Sequence, residues 1–149
     1  MSRLFTLTTP RTAAALALAV PFMLTPAAAM AETVVLTATL FGTNEVGGGA
    51  PEGNGAFRVE INSETGDFCY TLYAEKTAAP TMAHVHTGAA GTNGGPVITM
   101  DVTGKGSDQC IAVEPDKLKP ILANPAGFYV NIHTADFPGG AVRGQLVKG

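Results

Sequence analysis

Three histidines carry the clearest chemical signal in this sequence of 149 residues. His84 and His86 lie two positions apart in a strand-like segment, so an extended backbone points both imidazoles to one face. His133 ends a second run with the same alternation. Three imidazoles from neighbouring strands could bind Cu²⁺ or Zn²⁺ through ring nitrogens, and Asp101 or Asp136 could add a carboxylate ligand or orienter. Copper or zinc is the one cofactor that the sequence suggests.

A second interpretation places the same histidines in a hydrogen-bonded polar face. Asn131 shares a face with His133, and Arg143 and Gln145 alternate with apolar residues in the last strand-like segment. The histidines would then bond the carbonyls of the glycine-rich loop 87–95, and the polar face would form a binding surface. Ligand histidines need second-shell partners that the sequence does not place, so this second interpretation is favoured while both stay open.

The elements that must position these side chains alternate at period two almost throughout. Segment 115–123 is the exception, because its apolar residues recur at helical spacing. About eight short strands, glycine-rich turns and one short helix indicate an all-β fold, an antiparallel Greek-key or immunoglobulin-like β-sandwich or barrel. The expected strands are 33–41, 56–61, 68–75, the segment holding His84 and His86, 97–102, 109–113, 129–133 and 142–147.

The first 31 residues predict a secretory signal peptide rather than part of the fold. Arg3 and Arg11 precede a short apolar run that Pro21 interrupts, and small residues end at Ala31. A cationic start, a short apolar stretch and an A-x-A site are typical of such peptides. We therefore expect a signal peptide at 1–31, one domain at 32–149, and a secreted or periplasmic protein without a membrane anchor after cleavage.

Export gives the two cysteines a structural meaning. Cys69 and Cys110 are an even pair, and no C-x-x-C motif is present. In an oxidising compartment such a pair forms a disulfide by default. The sequence therefore predicts a Cys69–Cys110 disulfide that closes a loop of 42 residues.

Charge and motifs exclude several classes of function. Beyond residue 31 the chain has seven basic and twelve acidic residues, a net charge of −5, without a basic cluster. This balance argues against nucleic acid as a partner. Ser63 and Ser107 lack the G-x-S-x-G context of a nucleophile, so we expect no enzyme activity.

Two segments resemble the CHRD (chordin) domain family. Residues 83–88 read AHVHTG and are followed by a glycine-rich loop and Pro96-Val97. Residues 129–134 read YVNIHT, and residues 138–146 read PGGAVRGQL. The resemblance covers roughly residues 34–147. One departure is Ala141, which stands where the family usually has Glu, so an acidic partner for Arg143 at that position is in doubt.

The resemblance implies an all-β extracellular module to which no general enzymatic activity is attached. It carries over His84, His86, Asn131, His133, Gly139, Gly140, Arg143 and Gln145. The expected function is a non-catalytic module for binding or structural interaction with an extracytoplasmic protein or surface ligand. The alternative is a mononuclear copper or zinc protein that uses the three histidines.

Overall fold

The computed structural model describes residues 32–102 and 109–149. The predicted signal peptide, 1–31, and the segment between the expected strands 97–102 and 109–113 lie outside these residues. The strands are β1 (Val34–Phe41), β2 (Asn54–Asn62), β3 (Asp67–Glu75), β4 (Pro80–Thr87), β5 (Pro96–Met100), β6 (Gln109–Ala112), β7 (Phe128–Thr134), β8 (Val142–Gln145) and β9 (Val147–Lys148). One helix, α1 (Pro115–Ala123), and two 3₁₀ turns complete the fold, at Gly42–Asn44 and Pro125–Gly127.

The strands form one antiparallel sheet that curls into an open half-barrel. Their spatial order is β5-β4-β7-β8-β1-β2-β3-β6, and β9 pairs with β1. The two edge strands face each other across a cleft that residues of β5 and β6 line together. The all-β class and the single short helix are thus confirmed. None of the helices in the described ranges is long and apolar enough to cross a membrane.

Alternation along the strands places the apolar side chains inside the curl. Leu36, Leu40, Phe57, Val59 and Ile61 are fully buried from β1 and β2 alone. Helix α1 covers the same core with Leu118 and Ile121, as its helical spacing predicts. Pro115 occupies the first turn, where a missing N–H is tolerated, and Pro120 lies inside this short helix.

The expected final strand is divided in two. Leu146 separates β8 from β9; its N–H donates to the Phe128 carbonyl and its side chain is buried in the core. The following residue, Val147, pairs with Thr37 of β1 rather than continuing along β7. Strand β8 pairs with both β7 and β1, whereas β9 pairs with β1, so the inward-turning Leu146 marks where the chain leaves β7.

Strand β7 is buried on both of its faces. All seven of its residues have low exposure, including Tyr129, Asn131 and His133 on the side away from the core. Loops rather than a second sheet cover that side, because the residues touching it come from segments 42–49, 88–94 and 137–140. The polar side of β7 is therefore an enclosed layer.

Cys69 and Cys110 form the expected disulfide. They are directly paired residues of β3 and β6, so the bond joins facing positions of one ladder. Strand β6 has only four residues and pairs with β3 alone in the sheet order. The disulfide therefore secures an edge strand that few backbone hydrogen bonds hold.

We expect the Cys69→Ser/Cys110→Ser variant to lose about 4 kcal/mol of unfolding free energy, because an open loop of this length restores chain entropy to the unfolded state. Urea unfolding of the oxidised protein and of the variant measures the difference. A loss below about 1 kcal/mol would show that the disulfide contributes little.

Candidate metal centre

Pairing of β4 with β7 brings the three histidines together. In this ladder His84 lies opposite Asn131, His86 opposite Tyr129, and Met82 opposite His133. One nitrogen from each imidazole lies within 4.8 Å of the other two. The sequence alone does not show that the His84 segment lies beside the His133 segment, and the β4–β7 ladder shows that it does.

Two of these histidines have their tautomer fixed by backbone carbonyls. His86 Nδ1 lies 3.0 Å from the Gly94 carbonyl oxygen, and His133 Nδ1 lies 2.9 Å from the Pro138 carbonyl oxygen. A carbonyl only accepts, so both Nδ1 atoms must carry the proton. In the neutral rings each Nε2 is therefore unprotonated and carries a lone pair, the form in which histidine binds a metal.

The backbone at Gly94 is shaped for this contact. A Cβ there would overlap the carbonyl oxygen of Thr87, so only glycine lets the loop approach β4 this closely. The His86 Nε2 atom, in contrast, is buried without a hydrogen-bond partner. One side of the ring is thus bonded, and the other is buried beside the side chain of Asn131 without a well-formed hydrogen bond.

His84 completes the cluster. Its Nδ1 atom lies 3.1 Å from His133 Nε2. Because His133 carries its proton on Nδ1, His84 Nδ1 donates to the His133 Nε2 lone pair in the absence of a metal. The pKa of His84 is lowered by burial first and then by the nearby His133 and His86. The pKa of His86 is also lowered, chiefly by burial, against the opposing hydrogen bond to Gly94. Both rings are therefore more readily neutral than ordinary histidines.

The spacing of these atoms suits one small divalent ion. Nitrogens bound to zinc at about 2.0–2.1 Å are about 3–4 Å apart. The His84–His133 separation of 3.1 Å already meets this range, and the largest separation exceeds it by little. Small side-chain rotations would bring the three nitrogens to one ion.

Arg143 holds the loop that covers this cluster. Its side chain is 1% exposed and donates to Asn93 Oδ1 and to the carbonyls of Ala89 and Thr92. Its guanidinium lies 3.3 Å from the centre of the Tyr129 ring, a close cation–π contact. The same Tyr129 ring stacks on His86, with 4.8 Å between ring centres. The Tyr129 ring therefore lies between Arg143 and His86 and connects the loop anchor to the histidine group.

The remaining members of the predicted polar face are also enclosed. Gln145 Nε2 donates to the carbonyls of Gly88, Ala126 and Phe128. Asn131 is 3% exposed, and its Oδ1 atom is buried without a hydrogen-bond partner. The structure thus gathers Asn131, Arg143 and Gln145 beside the histidines, where Arg143 and Gln145 bind loop carbonyls.

Sequence reasoning missed Glu45, an acidic residue next to Arg143. Glu45 follows the Gly42–Asn44 turn, and its carboxylate packs against Gly140 so closely that a Cβ there would overlap it. Burial raises the pKa of Glu45, while the charge of Arg143 and the Asn131 side chain lower it. An acidic residue near Arg143, in doubt at position 141 because Ala stands there, is thus supplied by Glu45 from a distant loop, and no local sequence signal marks it.

Asp101 and Asp136, the two acids considered as ligands or orienters, do not belong to the histidine group. Within the described residues, that group contains only the three imidazoles.

Replacing Arg143 with Lys should lower the free energy of unfolding by about 2 kcal/mol or more, because one ammonium nitrogen cannot reproduce the planar fork by which two guanidinium nitrogens reach the three loop oxygens, and buried carbonyls are left unpaired. Arg58→Lys is the matched control, since Arg58 forms an exposed pair with Glu60 and should change stability by less than about 1 kcal/mol. Chemical denaturation measures both. Equal losses of unfolding free energy in the two variants would contradict the role of Arg143 in holding the loop.

The metal-free protein should lose stability as the pH falls below 6.5, which is the ordinary pKa of a histidine side chain. Below that value the unfolded chain takes up protons, whereas His84 and His86 stay neutral because their folded pKa values are lowered. The titratable and charged groups that act on them are His133 and Arg143, and His86 also lowers the pKa of His84. We expect the loss of stability to continue until the pH reaches the lowered pKa values of His84 and His86 in the folded protein, and then to level off.

A His84→Asn/His86→Asn variant should show a flatter profile of thermal stability over the same pH range. Wild-type stability that stays constant or rises as the pH falls below 6.5 would contradict the lowered pKa values.

The comparisons with known proteins agree with the motifs at these positions. The family model described as CHRD domain matches residues 36–146, which includes all three histidines, Arg143 and both cysteines. No curated protein and no solved structure gives a significant match. The match spans most of the chain, and the chain therefore belongs to the CHRD domain family.

Proposed function

We propose that this chain is an exported, non-catalytic module that binds one copper or zinc ion through His84, His86 and His133. The observation that carries the proposal is the convergence of the three imidazole nitrogens within 4.8 Å. Imidazole nitrogen is a preferred ligand of both Zn²⁺ and Cu²⁺. Three protein ligands leave a fourth coordination position for another group.

The unpaired nitrogen of His86 favours a metal over a purely structural role. A histidine that only held the loop would use Nδ1 and leave Nε2 in water or bonded to another group. Here Nε2 is buried and makes no hydrogen bond of good geometry, although buried polar atoms are nearly always bonded. The neighbouring polar group is the side chain of Asn131, which raises the pKa of His86 but leaves its own Oδ1 without a well-formed hydrogen bond. A metal ion at this position would satisfy the lone pair.

The carbonyl contacts of His86 and His133 supply the second shell that ligand histidines require. Each ring donates its Nδ1 proton to a backbone oxygen, which orients the ring and raises the basicity of Nε2. The hydrogen-bonded face and the metal site, which were competing interpretations of the sequence, are therefore compatible. One nitrogen of each ring serves the loop and the other is available to the ion.

Family membership supports a module without catalysis, because no general enzymatic activity is attached to CHRD domains. The disulfide and the predicted signal peptide support a secreted or periplasmic location. An extracytoplasmic protein or surface ligand as partner stays a prediction.

The test is calorimetric titration of untagged protein with Zn²⁺ and Cu²⁺. We expect one ion per chain, with a dissociation constant below about 10 µM, equivalent to about −7 kcal/mol. The informative variants are His86→Asn and His133→Asn. Asparagine places an amide donor near the position of Nδ1 and lacks an equivalent of Nε2, so the carbonyl contact can persist while the metal ligand is lost.

Each of these variants should keep most of the thermal stability of the metal-free protein and lose metal binding. Asp136→Asn is the control, because Asp136 does not belong to the histidine group and should leave the affinity unchanged. Wild-type protein without binding at 10 µM, or His→Asn variants that bind as well as wild type, would overturn the proposal.

A further inference from the structure

Met82 is an exposed apolar side chain beside the candidate metal centre. It lies two positions before His84 on β4, so strand alternation puts both side chains on the same face. Across the ladder it is paired directly with His133. Its side chain is 47% exposed, among the largest exposures of a large apolar residue in the described chain.

The placement brings a thioether within reach of the histidines. Directly paired residues have Cβ atoms about 4.5–5.5 Å apart, and methionine is long, unbranched and flexible. The other methionine of the described residues, Met100, is 2% exposed and packs in the core. An apolar side chain left in solvent next to three nitrogen ligands is unexplained by packing.

We propose that Met82 supplies the fourth ligand and makes the site selective for Cu(I). This inference rests on the proposed function and names the metal that the site prefers. Thioether sulfur is a soft ligand that favours Cu(I), whereas imidazole alone suits both copper and zinc. Three histidines therefore form the common part of the site, and Met82 supplies the discrimination.

The other candidate for the fourth position is less suitable. Glu45 lies near Arg143, and both Arg143 and the side chain of Asn131 lower the pKa of its carboxyl group. It does not belong to the histidine group. Met82, in contrast, is paired with a ligand residue and shares a strand face with a second.

The test compares Cu(I) and Zn²⁺ affinities in wild type and in Met82→Leu. Cu(I) affinity is measured anaerobically by competition with a chromophoric Cu(I) chelator, and Zn²⁺ affinity by calorimetry. We expect Met82→Leu to weaken Cu(I) binding by about tenfold or more and to change Zn²⁺ binding by less than about threefold. Met100→Leu, the same substitution in the core, should leave both affinities unchanged.

X-ray absorption of the Cu(I) protein supplies the structural readout. A sulfur neighbour of copper should be present in wild type and in Met100→Leu, and absent in Met82→Leu. Cu(I) binding that is equally tight in Met82→Leu, with only nitrogen neighbours in wild type, would overturn the role of Met82 and leave the histidine site intact. Wild type that binds neither ion would instead overturn the proposed function itself.

Discussion

Two hydrogen bonds to backbone carbonyls determine what the polar layer of this protein can do. His86 donates to Gly94 and His133 to Pro138, and both bonds use Nδ1. The His86 bond holds a loop against β4 and the His133 bond holds a loop against β7, and each bond also fixes the tautomer of its ring. The loops and the candidate metal site therefore depend on the same contacts. A change that moved either carbonyl would alter both the cover of the sheet and the direction of the Nε2 lone pair.

The rest of the layer keeps those carbonyls in place. Loops that cover a sheet without apolar side chains need polar anchors, and Arg143 and Gln145 serve this role by donating to several carbonyls each. Arg143 is costly to bury, and its stacking on Tyr129 and the nearby Glu45 offset part of that cost. Because Tyr129 also stacks on His86, the position of a ligand ring depends on this anchor.

Local patterns were enough to predict most of the fold and part of the site. Period-two alternation gave the strands and their inward residues, and the even pair of cysteines in an exported chain predicted the disulfide. Alternation also placed Asn131 with His133. It could not show that β4 lies beside β7, because strand order depends on long-range pairing. Glu45 and Arg143 are almost one hundred positions apart in the chain, so no local sequence signal could reveal their interaction. Met82, in contrast, shares the spacing of His84 and His86 and was detectable, had thioether ligands been sought alongside imidazoles.

The central claim is that His86 and His133 present deprotonated Nε2 atoms to a metal while Nδ1 remains bonded to the backbone. Nuclear magnetic resonance of protein labelled with ¹⁵N in its histidines measures this directly, because the two ring nitrogens resonate differently when protonated and unprotonated. The account predicts the Nδ1–H tautomer for both rings in the metal-free protein at neutral pH. It also predicts that Zn²⁺ shifts the Nε2 resonances of both while their Nδ1 protons persist. Nε2–H tautomers, or Nε2 resonances that do not respond to Zn²⁺, would contradict it.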